Sequence, residues 1–141
     1  MITIQDATHA DMPAIMALIR YVHAESIFKD LPFDESKAHR TAVTMMAFDK
    51  GYAKLAVRDG VMLGGMCGII AENYVGVMCA SDILMYAKGG TKLLVEDFIR
   101  WSKENGAQVI QLTDFSKGDR YGKLLTKIGL KPQGLNYIEV Q

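Results

Sequence analysis

The sequence is short of the features that mark specialised chains. It has two cysteines, three prolines and one tryptophan, and its 16 basic residues cancel 16 acidic ones. Cys67 and Cys79 lie inside apolar runs without metal-ligand spacing. They therefore point away from a disulfide scaffold or a zinc module, and read as free, buried thiols of a reducing compartment. Neither has a histidine partner close in sequence, which disfavours a cysteine nucleophile. The charge balance removes the basic footprint of a dedicated nucleic-acid binder and the bias of a disordered tail. The longest apolar stretch, Val61 to Ala71, is too short for a membrane helix and contains three glycines. Met1 to Gln5 alternates like a strand and does not read as a targeting leader.

What remains is a chain of 141 residues, half of them apolar, enough for one domain over 1–141 with a single core. After the first strand, Thr8 and Asp11 have capping-box-like spacing, and Pro13 is tolerable only at a helix start. A helix follows with Ile15, Leu18, Ile19 and Val22 on one face, ended by His23 to Ser26. Asp34 caps a second helix carrying Ala38, Ala42, Met45 and Met46, which Gly51 closes. Tyr52 to Val57 is a strand, and Asp59-Gly60 is a tight-hairpin signal leading into Val61 to Ala71. Gly64-Gly65 marks a bulge or a close backbone approach there. After a turn at Asn73-Tyr74, Val75 to Tyr86 reads as a long central strand.

The second half changes to strand–loop–helix–strand. Lys88 to Lys92 is a basic, glycine-bearing loop. It feeds a helix with Leu94, Phe98 and Trp101 at core spacing, which stops at Asn105-Gly106. Gln108 to Leu112 is a short strand parallel to the long one. A last helix spans Asp119 to Ile128, and Leu130 to Val140 is a final extended segment. The class is α/β (α+β), a mixed sheet flanked by four helices. The nine methionines, Phe98 and Trp101 read as core.

Chemistry concentrates where the long strand meets Thr91. Gly89 and Gly90 let consecutive amides point outward at the positive end of a helix, with Lys88 and Lys92 on either side, a setting that suits a pyrophosphate. A plain strand-to-helix turn with solvated lysines is the alternative. The loop has neither the Gly-Lys-Ser/Thr ending of a triphosphatase loop nor a Gly-x-Gly-x-x-Gly fingerprint.

The element order, the opening Ile4 to Asp11 and the loop before the Trp101 helix resemble the GNAT family of acetyl-CoA-dependent N-acetyltransferases. The segments His23 to Ser26, Leu31 to Asp34 and Gly134 to Tyr137 resemble its phage- and prophage-associated branch. The resemblance implies the acyl-CoA N-acyltransferase fold, with about six to seven strands and four helices. It also implies that acetyl-CoA is a co-substrate. The family motif Gln/Arg-x-x-Gly-x-Gly/Ala holds the pyrophosphate on backbone amides, and it fits here in three registers. One places Met85, Lys88 and Gly90 at the consensus positions, and another Tyr86, Gly89 and Thr91. The favoured one matches the branch's Arg-Gly-Gly to Lys88-Gly89-Gly90 in a shortened loop, so that lysine keeps the charge but loses the bidentate fork.

The resemblance assigns further roles. Backbone groups at Ile83, Leu84 and Met85 would hold the thioester and pantetheine arm in a V-shaped slot between two splayed strands. Arg120 and Lys123 could reach the phosphates. Glu25, His23 and Asp82 are candidates for taking the amine proton. The family's general acid is a tyrosine where Leu125 stands here, and Tyr121, one turn earlier on nearly the same face, could supply the hydroxyl. His23, Glu25, Phe28 and Phe33 would line the acceptor side.

The expectation is a cytoplasmic enzyme, in a bacterial or phage-infected cell, that acetylates a primary amine. It has no metal, no nucleic-acid partner and no membrane partner, and the last strand offers an edge for a homodimer. The rival readings are a weak or silent CoA-binding domain serving as a phage-related interaction module, and a scaffold that has lost the cofactor.

Overall fold

The computed structural model describes residues 1–134 and 136–141. Strand β1 (Ile2–Asp6) leads through a 3-10 turn (His9–Asp11) into helix α1 (Met12–Glu25). The Asp11 carboxylate accepts from both the amide and the hydroxyl of Thr8, at 2.8 and 2.9 Å, and Pro13 sits in the first turn of α1. Helix α2 (Glu35–Ala47) starts at Asp34, whose side chain accepts from the Lys37 amide at 3.0 Å. The meander follows as β2 (Gly51–Arg58), β3 (Val61–Glu72) and β4 (Met78–Ala87). Asp59 and Gly60 both take positive φ, 51° and 76°, as the tight hairpin requires. Helix α3 (Thr91–Glu104), β5 (Val109–Gln111) and α4 (Arg120–Ile128) complete the elements.

The sheet order is β1-β2-β3-β4-β5, antiparallel throughout except that β5 runs parallel to β4. That makes five strands among the described residues, fewer than the six to seven expected. The difference lies at the C-terminal end, where Leu130 to Val140 forms no strand among the described residues. Leu135, part of the Gly134 to Tyr137 segment, lies outside them. Positions 131–134 and 136–141 are exposed and unpaired, so the edge expected from a last strand, and the dimer argued from it, have no strand to rest on.

Helices α1 and α2 cover one sheet face and α3 the other. On the first, Met12, Ile15 and Met16 pack on Leu55, with Ala38, Ala42, Val43 and Met46 of α2 joining them. On the second, Leu94 and Phe98 of α3 pack on Tyr52, Ala56, Met66, Ile70 and Ala80. Two glycines set how closely α3 can lie. A Cβ at Gly68 would stand 2.8 Å from the Phe98 ring and 2.5 Å from the Ser81 carbonyl oxygen. One at Gly90 would stand 2.9 Å from Ala56 Cβ. Cys67 and Cys79 are free and half-buried. Cys67 lies opposite Leu84, whereas Cys79 lies opposite Ala71 at the far end of β3. Burial pushes the Cys67 thiol up to about 11, against a backbone hydrogen bond at Leu84, so it is an inert thiol at neutral pH.

A buried polar cluster pins α3 to β2, and neither residue spacing nor composition pointed to it. The Tyr52 hydroxyl donates to Asp97 at 2.8 Å, Lys54 Nζ lies 3.1 Å from the same oxygen, and Arg100 pairs with the other. Burial alone would raise the Asp97 carboxyl. The Tyr52 and Lys54 hydrogen bonds and the two cations outweigh it, holding the group below its ordinary value.

Two predictions follow from this packing. Gly68→Ala should destabilise the chain by about 2 kcal/mol, because the Ser81 backbone cannot yield and Phe98 must, measured by urea unfolding. Asp97→Asn should cost about 1–2 kcal/mol at neutral pH, because Tyr52 keeps an acceptor and Arg100 is solvated. Because the folded carboxyl is lowered, that stability is present above the normal carboxylate range and disappears as pH falls below it. The variant and the parent should therefore converge in acid.

Candidate functional site

The long strand β4 is kinked in its middle. Cys67 pairs with Leu84 and Gly68 with Asp82, which leaves Ile83 as the extra residue of a bulge. A bulge leaves its extra residue outside the ladder and turns the strand. Ile83 is 51% exposed, while Met85 beyond it packs on the α3-side core.

The bulge coincides with the end of the β4–β5 ladder. Only Cys79, Ala80 and Ser81 pair with Val109, Ile110 and Gln111; β4 continues to Ala87 while β5 stops. The paired seam is thus short, and beyond it β4 runs on without a β5 partner, a fork in the ladder. Asp82 stands at its crotch, its Oδ1 accepting from the Thr113 amide at 3.1 Å. Burial raises its carboxyl to about 6, partly offset by backbone hydrogen bonds from Thr113 and its own amide.

Tyr121, in the first turn of α4, has the one buried side-chain polar atom without a hydrogen-bond partner among the described residues, its hydroxyl. Burial raises the phenol, and the negative charges of Asp82 and Asp114 push it further in the same direction. Those shifts place the hydroxyl within the fields of both carboxylates, protonated at neutral pH. A buried phenol with no partner costs free energy comparable to a lost hydrogen bond. Gly122 follows it against Asp114, whose oxygen would lie 3.2 Å from an added Cβ.

The loop Lys88 to Gly90 closes the other end of β4. The Lys88 amide is used, donating to the Leu63 carbonyl at 2.8 Å. Leu63 is the residue left over where Ala56 pairs with Gly64 and Val57 with Met62, so the bulge expected near Gly64-Gly65 is what receives the loop. Gly90 holds the left-handed conformation, φ 82°, at the cap of α3. The amides of Thr91, Lys92 and Leu93 in the first helical turn have no intrahelical acceptor and carry the positive end of the dipole. Lys88, Lys92 and Arg120 are exposed. The Lys88 charge is also felt by Tyr21 of α1.

The acceptor-side residues divide. Glu25 ends α1 and is exposed. Its charge acts on Tyr21, whose ring packs on Tyr86 of β4 with centroids 5.0 Å apart. The Tyr86 hydroxyl, and after it the Glu25 charge, raise the Tyr21 phenol. His23 is occupied within the loop: its Nε2 is 2.9 Å from the Leu31 carbonyl oxygen, and its ring lies 5.3 Å from Phe33. Phe33 packs on the α1–α2 core beneath the Arg20 guanidinium. Phe28 is exposed, next to Ile27.

The structure therefore gathers Asp82, Ile83, Tyr121 and Thr113 at the fork and Lys88 to Lys92 at the end of β4. Glu25 joins Tyr21 and Tyr86 on the other sheet face. Tyr21, Thr113 and Asp114 were not among the expected site residues, and Tyr86 was so only in a motif register that was not favoured. Tyr21 carried a signal, an aromatic flanking the apolar stripe of its helix; Thr113 carried none, since its backbone is what takes part. Two broad surface concavities lie off the fork. One, about 370 Å³, is lined by Glu96, Arg100, Lys103 and Ile128. The other, about 620 Å³, runs over α4 beside Asp114, Gly122 and Lys127.

No protein-family model and no curated protein sequence matches the chain. Solved structures do. A predicted acetyltransferase with acetyl-CoA from Clostridium acetobutylicum aligns with TM-score 0.77 at 13% identity, over 100% of this chain and 96% of that one. The enzyme AAC(6')-Iy, in complex with a bisubstrate analogue of CoA and acetylneamine, aligns with TM-score 0.76 at 14% identity, over 100% and 99%. A transcriptional regulator from Bacillus halodurans C-125 aligns with TM-score 0.74 at 19% identity, over 99% and 100%. At these identities the similarity is one of fold. The described residues have the GNAT fold, with a five-stranded sheet and four α-helices.

The fork makes one pH prediction. Asp82 has a raised folded value, so the folded state gains stability from protonation at low pH and loses it as pH rises through about 6. Asp82→Asn should therefore become more stable relative to the parent between pH 4 and pH 7, measured as thermal midpoints across that range.

Proposed function

We propose that this chain is an N-acetyltransferase that moves an acetyl group from acetyl-CoA to a primary amine by direct attack on the thioester. The observation that carries the reading is the fork. The β4–β5 ladder stops at Ser81–Gln111, beside a bulge that leaves Ile83 outside the β3–β4 ladder, which supports a slot there, and the buried hydroxyl of Tyr121, without a partner, lies in the field of Asp82 at that point. The pantetheine arm fits such a slot, its amides replacing the ladder bonds that the parted strands lack. The pyrophosphate falls to the amides from Gly89 to Lys92, with Lys88, Lys92 and Arg120 adding charge. Two solved structures of this fold hold acetyl-CoA or a CoA analogue, which supports the same assignment here.

In the reaction the amine nitrogen bonds to the thioester carbonyl carbon, and the carbonyl oxygen takes the negative charge. In this reading main-chain groups at Ile83, Leu84 and Met85 receive the arm and that oxygen. Collapse of the intermediate breaks the carbon–sulfur bond, and the Tyr121 hydroxyl donates a hydrogen bond to the departing thiolate, which is stable enough to leave as the anion and takes its proton from water. Burial and the two carboxylates raise the phenol, so it is a protonated donor at neutral pH but a weaker acid than the thiol. Loss of the amine proton falls to Glu25, directly or through water, on the α1 face where Tyr21 and Tyr86 stand beside β4. Phe28 and the Tyr21–Tyr86 pair border the acceptor side, with His23 and Phe33 shaping the loop beneath it. Two free thiols agree with a cytoplasmic setting. The phage-associated branch is supported by its short sequence segments alone.

A second reading, a CoA-binding module without catalysis, is favoured by one observation: Leu125, where the family has its tyrosine, is buried in the core. One neighbour of the same fold bears the name of a transcriptional regulator, so the fold alone does not supply an activity.

Calorimetric titration with acetyl-CoA should show binding. Gly89→Asp, which adds a negative charge where only the flexible Leu63 end lies within 3.3 Å, should weaken it at least about tenfold, or 1.4 kcal/mol. Absence of binding by the parent chain at high micromolar acetyl-CoA would sink the proposal. Tyr121→Phe should lower amine-dependent thiol release by about 10²-fold, with the acetyl-CoA Kd unchanged. Unaltered turnover would remove Tyr121 from the mechanism, and no turnover in the parent, with binding intact, would favour the module.

A further inference from the structure

The fork needs something to hold its strands at a fixed separation, and its own ladder cannot. The last β4–β5 pair is Ser81 with Gln111, and β4 carries its bulge at Ile83 immediately afterwards. In a parallel ladder that continued, the Thr113 amide would donate to a main-chain carbonyl of β4. It donates to the side chain of Asp82. A carboxylate reaches further from the strand axis than a carbonyl, so the same amide is satisfied while the strands stay further apart. A buried amide left without an acceptor would be costly.

We propose that Asp82 is the tether that sets the width and depth of the fork, and that binding of the pantetheine arm depends on this side-chain-to-amide bond. The proposal rests on the acetyl-CoA reading given above. It makes Asp82 a positioning residue, acting through Thr113 and the loop behind it, and not the base that the sequence suggested. The same loop carries Asp114, which accepts from the Ser116 amide at 2.9 Å and acts on Tyr121. Releasing Thr113 would therefore loosen the setting of the Tyr121 hydroxyl as well. The ionisable groups that face Asp82 are Tyr121 from α4 and Cys67 from β3, and neither is charged near neutral pH.

The distinguishing feature is the acceptor atom. Asparagine retains a side-chain oxygen at the same reach; leucine fills the space and has none. The test compares Asp82→Asn and Asp82→Leu in the full chain by two measurements. The first is calorimetric affinity for CoA and for adenosine 3′,5′-bisphosphate, which carries the nucleotide phosphates without the arm. Asp82→Asn should bind CoA within about threefold of the parent, and Asp82→Leu should lose about tenfold or more. The affinity of both variants for the bisphosphate should stay at the parent value. The second is hydrogen exchange at the Thr113 amide in the protein without ligand: slow in the parent and in Asp82→Asn, faster by about tenfold or more in Asp82→Leu.

Equal CoA affinity in Asp82→Leu and the parent would overturn the tether, as would slow Thr113 exchange in Asp82→Leu. If Asp82→Asn binds CoA normally yet loses about 10²-fold in kcat, Asp82 is the base and the positioning role is overturned. Should the parent bind no CoA, the acetyltransferase reading fails by itself, while Thr113 exchange still decides whether Asp82 holds the fork.

Discussion

The close seating of α3 on the sheet is the constraint on which the rest of the molecule depends. Phe98 sits over a strand position that has no Cβ, and the N-terminal cap of the helix sits against Ala56 and Ile2 on the same terms. Leu94, Val95 and Phe98 are fully buried as a result, and the first helical turn is delivered to the end of β4 in one orientation. The ion cluster of Asp97, Lys54 and Arg100 with Tyr52 locks the helix along its axis. A helix held at a normal distance by alanine or larger side chains would lift its N-terminal amides away from the strand that precedes them. The proposed anion site and the sheet packing are therefore one structure.

The other end of the site is made by a strand that fails to continue. β5 contributes only three paired residues, which in most sheets would be a weak edge. Here the short seam matters because it ends where β4 bulges. Asp82 and Thr113 join the strands at that point, and Tyr121 brings an unpaired hydroxyl beside them. The proposed acetyl transfer uses both products of this arrangement: the unpaired backbone of the bulge and the proton-bearing phenol.

Much of this was legible in the residues themselves. The periodicity of Ile15, Leu18 and Ile19, the cap at Asp34, the Asp59-Gly60 turn and the Leu94–Phe98–Trp101 stripe each report a local rule, and the elements stand where those rules put them. The extended composition from Leu130 to Val140 misled, because β-like residues form a strand only where a neighbouring edge receives them. The Asp97 cluster, the Tyr21–Tyr86 contact and the Asp82–Thr113 bond were out of reach for a different reason. Each joins residues far apart in the chain, and in the last the partner is a main-chain amide that any residue would have supplied. The fork itself is a property of register, and a one-residue bulge in β4 leaves no mark in residue type.

Main-chain amides have a further consequence at the loop from Lys88 to Thr91. A cradle made of backbone groups keeps its shape under almost any change of side chain, provided the residue at the left-handed position stays glycine. Such a site is inherited as geometry and not as spelling. Selection can hold the loop while its letters drift until no family pattern recognises them, and the three-dimensional likeness then outlives the written one.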